Sequence, residues 1–182
     1  MARGGGGLLS YRHMQDIVII GAGPAGYQAA LRARQLGLSV TLVERRELGG
    51  TCLNRGCIPT KTLLASAARF AEVKSAAAFG IAAAAPSVDL AAVFARKDAV
   101  VSKLRAGIAA AEQKAGVTVV SGSARLVSAT VVEVVPSPQS QQGRQRQLLE
   151  AKNILIATGS EPAKLPIPGI EFTMNSDGVL AA

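Results

Sequence analysis

The sequence predicts an α/β fold in which a parallel sheet with flanking helices continues into an antiparallel β-meander. Three observations carry this. Asp16 to Gly21 (Asp-Ile-Val-Ile-Ile-Gly) is an unbroken apolar run closed by glycine, the pattern of a strand covered on both faces. Leu38 to Val43 repeats the pattern after a helix-forming stretch and closes on Glu44, so residues 16–44 read as one βαβ unit. Further on, short runs rich in β-branched residues alternate with turn residues.

Between the first two strands, Gly21-Ala22-Gly23-Pro24-Ala25-Gly26 reads as a turn, and Tyr27 to Leu36 supplies Ala, Leu, Gln and Arg, strong helix formers stopped by Gly37. Leu63 to Ala78 is Ala-rich and reads as a helix. Val88 to Ala115 places Leu90, Val93, Phe94, Val101, Leu104 and Ile108 at intervals that put them on one face of a long helix, ended by Gly116. Val117 to Val120, Ala124 to Val127, Thr130 to Val135 and Gln147 to Ala151 read as the short strands of the meander. Pro136 to Gln147 is polar and rich in Pro and Gln, which suits an exposed hairpin tip. Asn153 to Ala157 returns as another buried strand, followed by Thr158-Gly159-Ser160 and a Pro-rich exit.

With 182 residues, 49% of them hydrophobic, the chain has enough material for one domain and too little for two. The expected organisation is a flexible N-terminal extension over residues 1–14 and one domain over residues 15–182. Charged residues at 18% and a mean hydropathy of +0.30 exclude a disordered chain. Apolar stretches such as Ile81 to Pro86 fall well short of the roughly 20 residues of a membrane-spanning helix, so no membrane partner is expected. Lys+Arg 20 against Asp+Glu 12 gives +8, which raises a polyanion partner. The basic residues are scattered, however, and 3% aromatics with no Trp leave little to stack on bases, so no nucleic-acid partner is expected. Ahead of Gln15 stand Arg3, Arg12 and His13, no acid, and only Leu8-Leu9 as an apolar patch, too short for a signal peptide. The expectation is an extended or mis-started terminus before Met14 and a cytoplasmic protein.

Gly21-x-Gly23-x-x-Gly26 lies between the first strand and its helix, where glycines permit a tight turn, close backbone approach to a pyrophosphate and close helix packing. Glu44, 21 residues past Gly23, stands where a carboxylate can hydrogen-bond ribose hydroxyls. The competing reading is a glycine-rich turn in an unrelated α/β protein.

Both cysteines fall in Gly49-Gly50-Thr51-Cys52-Leu53-Asn54-Arg55-Gly56-Cys57-Ile58-Pro59-Thr60-Lys61. In a regular helix, residues five apart have Cα atoms about 8.6 Å apart, beyond the roughly 4.4–6.8 Å of a disulfide. A bridge therefore needs the segment to bend, and Gly56 with the N–H-less Pro59 supplies the means. Such a bridge would be strained and reducible, and in a chain with no secretion signal a redox role suits it better than a structural one. Two structural thiols, or half a metal site that no Cys or His pair completes, are the alternatives. No metal ligands are assigned.

Ile-Gly-Ala-Gly-Pro-Ala-Gly-Tyr, Val-Glu-Arg, the cysteine segment and Ile-Ala-Thr-Gly-Ser together resemble the N-terminal part of the flavoprotein disulfide reductases (class I pyridine nucleotide-disulfide oxidoreductases), most of all the dihydrolipoamide dehydrogenases. The resemblance spans Gln15 to the end. Glutathione and mercuric reductases share the frame but tend to carry Val where this chain has Leu53 and Ile58, and glutathione reductases often have Lys at the position of Thr60.

The resemblance implies a Rossmann-like FAD-binding domain, with FAD as cofactor, NAD as co-substrate, dihydrolipoamide or a lipoyl domain as partner, and a homodimer in the full-length family. It implies Cys52 and Cys57 as catalytic residues, Cys52 exchanging with substrate and Cys57 facing the flavin. It also implies cofactor contacts from Gly21, Gly23, Gly26, Glu44, Gly50, Thr51, Cys52, Lys61, Ala124, Thr158, Gly159 and Ser160. Each of these could instead be ordinary turn chemistry, and Lys61 a solvated helix lysine. Family members continue into an NAD domain, a further flavin-contacting segment and an interface domain with a His/Glu acid–base pair. The only histidine here, His13, is expected to be a solvated tail residue. Turnover by this chain alone is therefore not expected; a free-standing FAD-binding or thiol-redox module is the alternative.

Overall fold

The computed structural model describes residues 14–137, 145–163 and 165–181. His13 and nearly all of the expected N-terminal extension lie outside them, as does the centre of the expected hairpin tip. The described residues divide into two bodies, one made of those up to Gly50 and between Ile108 and Gly159, the other of those between Thr51 and Gly107 and from Ser160 onward.

The first body holds strands β1 (Gln15–Ile20), β2 (Val40–Glu44), β3 (Thr118–Leu126), β4 (Val131–Pro136) and β5 (Gln147–Ile156), and helix α1 (Pro24–Gln35). β3, β2, β1 and β5 lie side by side in parallel, with Ile19 opposite Leu42 and Leu155, and Val43 opposite Val120. β3, β4 and β5 form the antiparallel meander, with Ala124 opposite Val134 and Val132 opposite Leu149. Pairing therefore runs full circle through the five strands.

β3 and β5, each expected from the sequence as two short strands, are both continuous. Both change partners without breaking. Ser121 of β3 pairs with Glu44 in parallel while Gly122 pairs with Pro136 antiparallel. A Cβ on Gly122 would lie 2.6 Å from the Val135 carbonyl oxygen, so only glycine lets the two ladders meet there. In β5, Glu150 pairs with Val131 and Ala151 with Gln15.

Alternation along β1 serves two cores. Val18 packs with Val43, Val120, Val132, Val134 and Leu149 on the meander face. Ile19 packs with Leu42, Val40, Ala30 and Ala33 on the face carrying α1. Ile19 and Leu42 are fully buried, and each contributes about 2–3 kcal/mol by removal from water. The small Ala30 and Ala33 let α1 approach the sheet closely. At the start of β1, the Ser39 N–H and hydroxyl both donate to Asp16 Oδ2, at 2.9 and 2.8 Å, and Lys152 Nζ donates to Oδ1 at 2.7 Å. These partners hold the Asp16 carboxyl well below the usual carboxylate range, the lysine bond most of all.

Helix α2 (Gly50–Arg55) has all but its first residue in the second body, which also carries α3 (Cys57–Ser75) and α5 (Ser176–Ala181). α4 (Leu90–Ala115) lies in this body up to Gly107. The apolar stripe expected on α4 is covered only in part. Val101 is buried, but Leu90 and Leu104 are exposed, because a stripe is buried only where another element covers it. Two charged residues of α4 are buried instead. Lys97 Nζ donates to the Leu180 carbonyl oxygen at 2.6 Å and lies 3.0 Å from Asp98 Oδ1. Glu112, in the first body, is fully buried, and neither carboxyl oxygen has a hydrogen-bond partner among the described residues. Desolvation raises its pKa to about 7.

Candidate functional site

In the first body the glycine turn stands at the carboxyl ends of β1 and β2. Gly21, at φ +101°, lies so close to the chain leaving β5 that a Cβ would fall against the Ala157 carbonyl oxygen and come 3.1 Å from Thr158 Cα. A Cβ on Gly26 would fall on the Gly21 carbonyl oxygen, and one on Gly50 would lie 2.6 Å from Gly23 Cα. These approaches bring Gly21, Gly23, Gly26, Gly50 and Thr158 together in bare backbone. Pro24 opens α1, Gly23 caps it with no side-chain hydrogen bond, and its first turn has no acidic residue. The positive end of the helix is thus left to an outside anion.

Glu44 ends β2 and braces this turn. Its Oε2 accepts the Ala22 N–H at 2.7 Å and its Oε1 accepts the Arg46 N–H at 2.8 Å. Gly49, buried and at φ +97°, donates its N–H to the Ala22 oxygen at 2.8 Å. Gly49 is not among the expected site residues, and the Gly-Gly doublet is the only sequence signal of its role. Bare backbone at a helix N-terminus, with a carboxylate at the end of the next strand, fits a dinucleotide's pyrophosphate and ribose. Ala124 stands apart from this group. It lies three residues beyond Ser121, the partner of Glu44, or about 10 Å along β3, with its side chain against the meander core.

In the second body the cysteine segment bends at Gly56, as a bridge between the two cysteines requires. α2 ends at Arg55, Gly56 leaves the helical region at φ −146° and ψ −109°, and α3 begins at Cys57. The break folds the chain back tightly, since a Cβ on Gly56 would lie 3.1 Å from the Thr51 oxygen and 3.4 Å from Cys52 Cα. Pro59, buried, occupies the first turn of α3, where its missing N–H costs no helical bond.

The break brings the two sulfurs together. Both are thiols here, Cys52 half-buried and Cys57 exposed. The hydrogen bond that Cys52 donates to Cys57 raises its pKa most; burial and the Cys57 charge add to the rise. The Cys57 backbone N–H and the Lys61 ammonium pull the other way. Lys61, one turn along α3 from Cys57, is exposed, as are Thr51 and Ser160. Thr158 and Gly159 are exposed in the first body. Among the described residues, no group of three or more His, Cys, Asp or Glu side chains could hold a metal ion.

The comparisons with known proteins agree with this geometry. Residues 15–180 match the family model for pyridine nucleotide-disulphide oxidoreductases. The chain is 44% identical over 167 residues to a dihydrolipoyl dehydrogenase of Chlamydia muridarum, covering 92% of this chain and 34% of that protein. It is 42% identical over 154 residues to a dihydrolipoyl dehydrogenase of Bacillus subtilis, covering 83% of this chain and 32% of that protein. Among solved structures, the Cu(II) complex of the HOCl-induced flavoprotein disulfide reductase RclA from Escherichia coli superposes with a TM-score of 0.74 at 29% identity, covering 94% of this chain and 35% of that one. The chain thus spans about a third of the length of these relatives. A glycine turn braced by a strand-end carboxylate and a dithiol folded across a helix break, matched over nearly the whole chain, place it in the pyridine nucleotide-disulphide oxidoreductase family.

Proposed function

We propose that residues 15–182 are the FAD-binding, dithiol-bearing part of a dihydrolipoamide dehydrogenase-type oxidoreductase, which passes electrons from dihydrolipoamide through a Cys52–Cys57 disulfide to FAD and on to NAD. The contact of Cys52 with Cys57 across the Gly56 break carries this reading. The relatives named dihydrolipoyl dehydrogenase support the choice of substrate. In this reading the full-length protein is cytoplasmic and homodimeric, and its NAD-binding and interface parts belong to the two thirds of the relatives' length that this chain does not span.

The chain's own residues divide the work. A thiolate of dihydrolipoamide attacks Cys52 Sγ; the Cys52–Cys57 bond breaks and Cys57 leaves as thiolate. The second substrate thiol then displaces Cys52 from the mixed disulfide. Substrate is oxidised to its cyclic disulfide, and two electrons and the released protons are left with the cysteine pair and its surroundings. Lys61 stabilises the thiolate form of Cys52 and, by family resemblance, negative charge on the ring side of the cofactor. Gly21, Gly23 and Gly26 would present backbone to the pyrophosphate, and Glu44 would take the ribose hydroxyls. By family resemblance Gly50, Thr51, Cys52, Thr158, Gly159 and Ser160 would supply further cofactor contacts, and Ala124 would offer backbone to the adenine. Bound FAD supplies a two-electron acceptor between the dithiol and NAD.

Two measurements on the purified chain test this. Titration with FAD should quench flavin fluorescence saturably; quenching that never saturates would remove the cofactor assignment. Lipoamide should oxidise one pair of thiols, and Cys52→Ser and Cys57→Ser should each abolish that two-thiol loss. A thiol count unchanged by lipoamide would remove the redox assignment. Lipoamide-dependent NADH oxidation is expected only when the remaining family domains are supplied.

A further inference from the structure

We propose that Arg105 is a positioning residue for the cysteine pair, its guanidinium gripping the Asn54 amide oxygen and so fixing where Cys52 stands relative to Cys57 across the Gly56 break. The inference rests on the redox reading of that pair and adds a residue far from it in sequence. Arg105 Nε donates to Asn54 Oδ1 at 3.0 Å and Nη2 donates to the same oxygen at 2.7 Å, with both side chains part-buried. Asn54 lies between the cysteines, in the last turn of α2, 51 residues away from Arg105 on α4.

α2 needs such a hold. A helix of six residues is far below the roughly 12–15 that persist alone in water. Within α2 only Leu53 is buried. α2 ends at Arg55 and Gly56 leaves the helical region before α3 begins, so the two cysteines sit on separate helices rather than on one continuous one. Arg55 approaches Asp177 of α5 at 3.6 Å, with side chains 27% and 34% exposed, a looser tie than the forked bond to Asn54. Cys52 and Asn54 ride on one helical turn, so displacement of Asn54 moves Cys52 with it. Both Arg105 hydrogen bonds go to Asn54 Oδ1 and neither to a sulfur. Arg105 therefore works through geometry. Closing a disulfide demands a narrow window of sulfur and Cβ positions, so a small displacement weakens the bridge strongly.

The test equilibrates the 182-residue chain with glutathione redox buffers and reads the oxidised fraction by alkylation and mass. In this exchange one glutathione disulfide takes two electrons from the cysteine pair and yields two glutathione thiols, while the Cys52–Cys57 bond forms. Arg105→Met should lower that equilibrium constant by about tenfold, the size of one lost charge-assisted hydrogen bond, with the circular dichroism spectrum unchanged. Asn54→Ala should do the same, the double variant should lose no more than either single one, and Arg105→Lys should recover part of the loss. A wild-type constant in folded Arg105→Met overturns the proposal. If Arg105→Met fails to fold, Asn54→Ala decides; if that also fails, Arg105→Lys decides, and an unchanged constant overturns it in either case. A purely structural role would lower the thermal midpoint and leave the constant where it was. Wild-type protein that forms no reversible bridge defeats the redox reading itself, an outcome distinct from a reversible bridge that ignores Arg105.

Discussion

The Ala22 N–H donates to Glu44 Oε2 at 2.7 Å, so the carboxylate at the end of β2 is tied to the turn that follows β1. The Arg46 N–H engages the other oxygen at 2.8 Å, and the pair of bonds fixes the plane of the carboxylate. Glu44→Ala should cost about 1–3 kcal/mol of stability by leaving two backbone donors without this acceptor. Under the proposed function it should also weaken FAD binding by about tenfold or more, by removing the proposed charged acceptor for the ribose. Fluorescence titration and urea unfolding read the two effects separately, and unchanged FAD affinity would remove Glu44 from the cofactor site.

Gly26 and Gly107 make a matched pair of substitutions. A Cβ at Gly26 overlaps the Gly21 carbonyl oxygen, whereas one at Gly107 meets nothing within 4 Å. Gly26→Ala should destabilise the protein by about 3 kcal/mol or more as backbone shifts to relieve the clash. Gly107→Ala, in the interior of α4, should stabilise it by about 0.5–1 kcal/mol. Urea midpoints moving the same way for both would contradict the packing described for the turn.

Glu112 makes stability fall as pH rises. Burial raises its folded pKa from the ordinary 4.5 to about 7. The unfolded chain therefore releases this proton first, and the folded chain holds more protons between those values. The stabilisation is complete below about pH 4.5 and is lost as pH rises through about 7. Glu112→Leu should stabilise the protein at pH 8, and by roughly 2 kcal/mol more there than at pH 5. An equal effect at both pH values, read from urea midpoints, would contradict a neutral buried carboxyl.

Lys61 opposes the rise in the Cys52 thiol pKa. Lys61→Met should therefore lift that pKa further and slow alkylation of Cys52 at pH 8 by about two- to threefold. Lys61→Arg should restore the rate. Peptide-resolved iodoacetamide kinetics would show it, and a rate indifferent to residue 61 would sever the lysine from the thiol.

Local chemistry made much of this fold legible. Ile17 to Ile20, and Val40, Leu42 and Val43, are apolar because both faces of β1 and β2 are covered, and the glycine spacing announces the turn directly. Gly56 and Pro59 announce the interrupted helix for the same reason. Partner changes along β3 and β5 were not legible, since periodicity reports alternation and not which strand lies alongside. Nor could the sequence show the grip of Arg105 on Asn54, which depends on two helices meeting 51 residues apart. The burial of Glu112 ran against its type, because a carboxylate on a helix is ordinarily solvated.

Because β3 and β5 each lend one half to the parallel ladder and the other to the meander, the hairpin around β4 has no private stability to lose. Fraying it would pull on the same two strands that flank β1 and β2. Amide protons of β4 should accordingly exchange with deuterium on the slow, cooperative timescale of Val18 and Val43 rather than at the pace of a surface loop, and a disturbance of β4 would propagate along β5 to the strands beside the glycine turn.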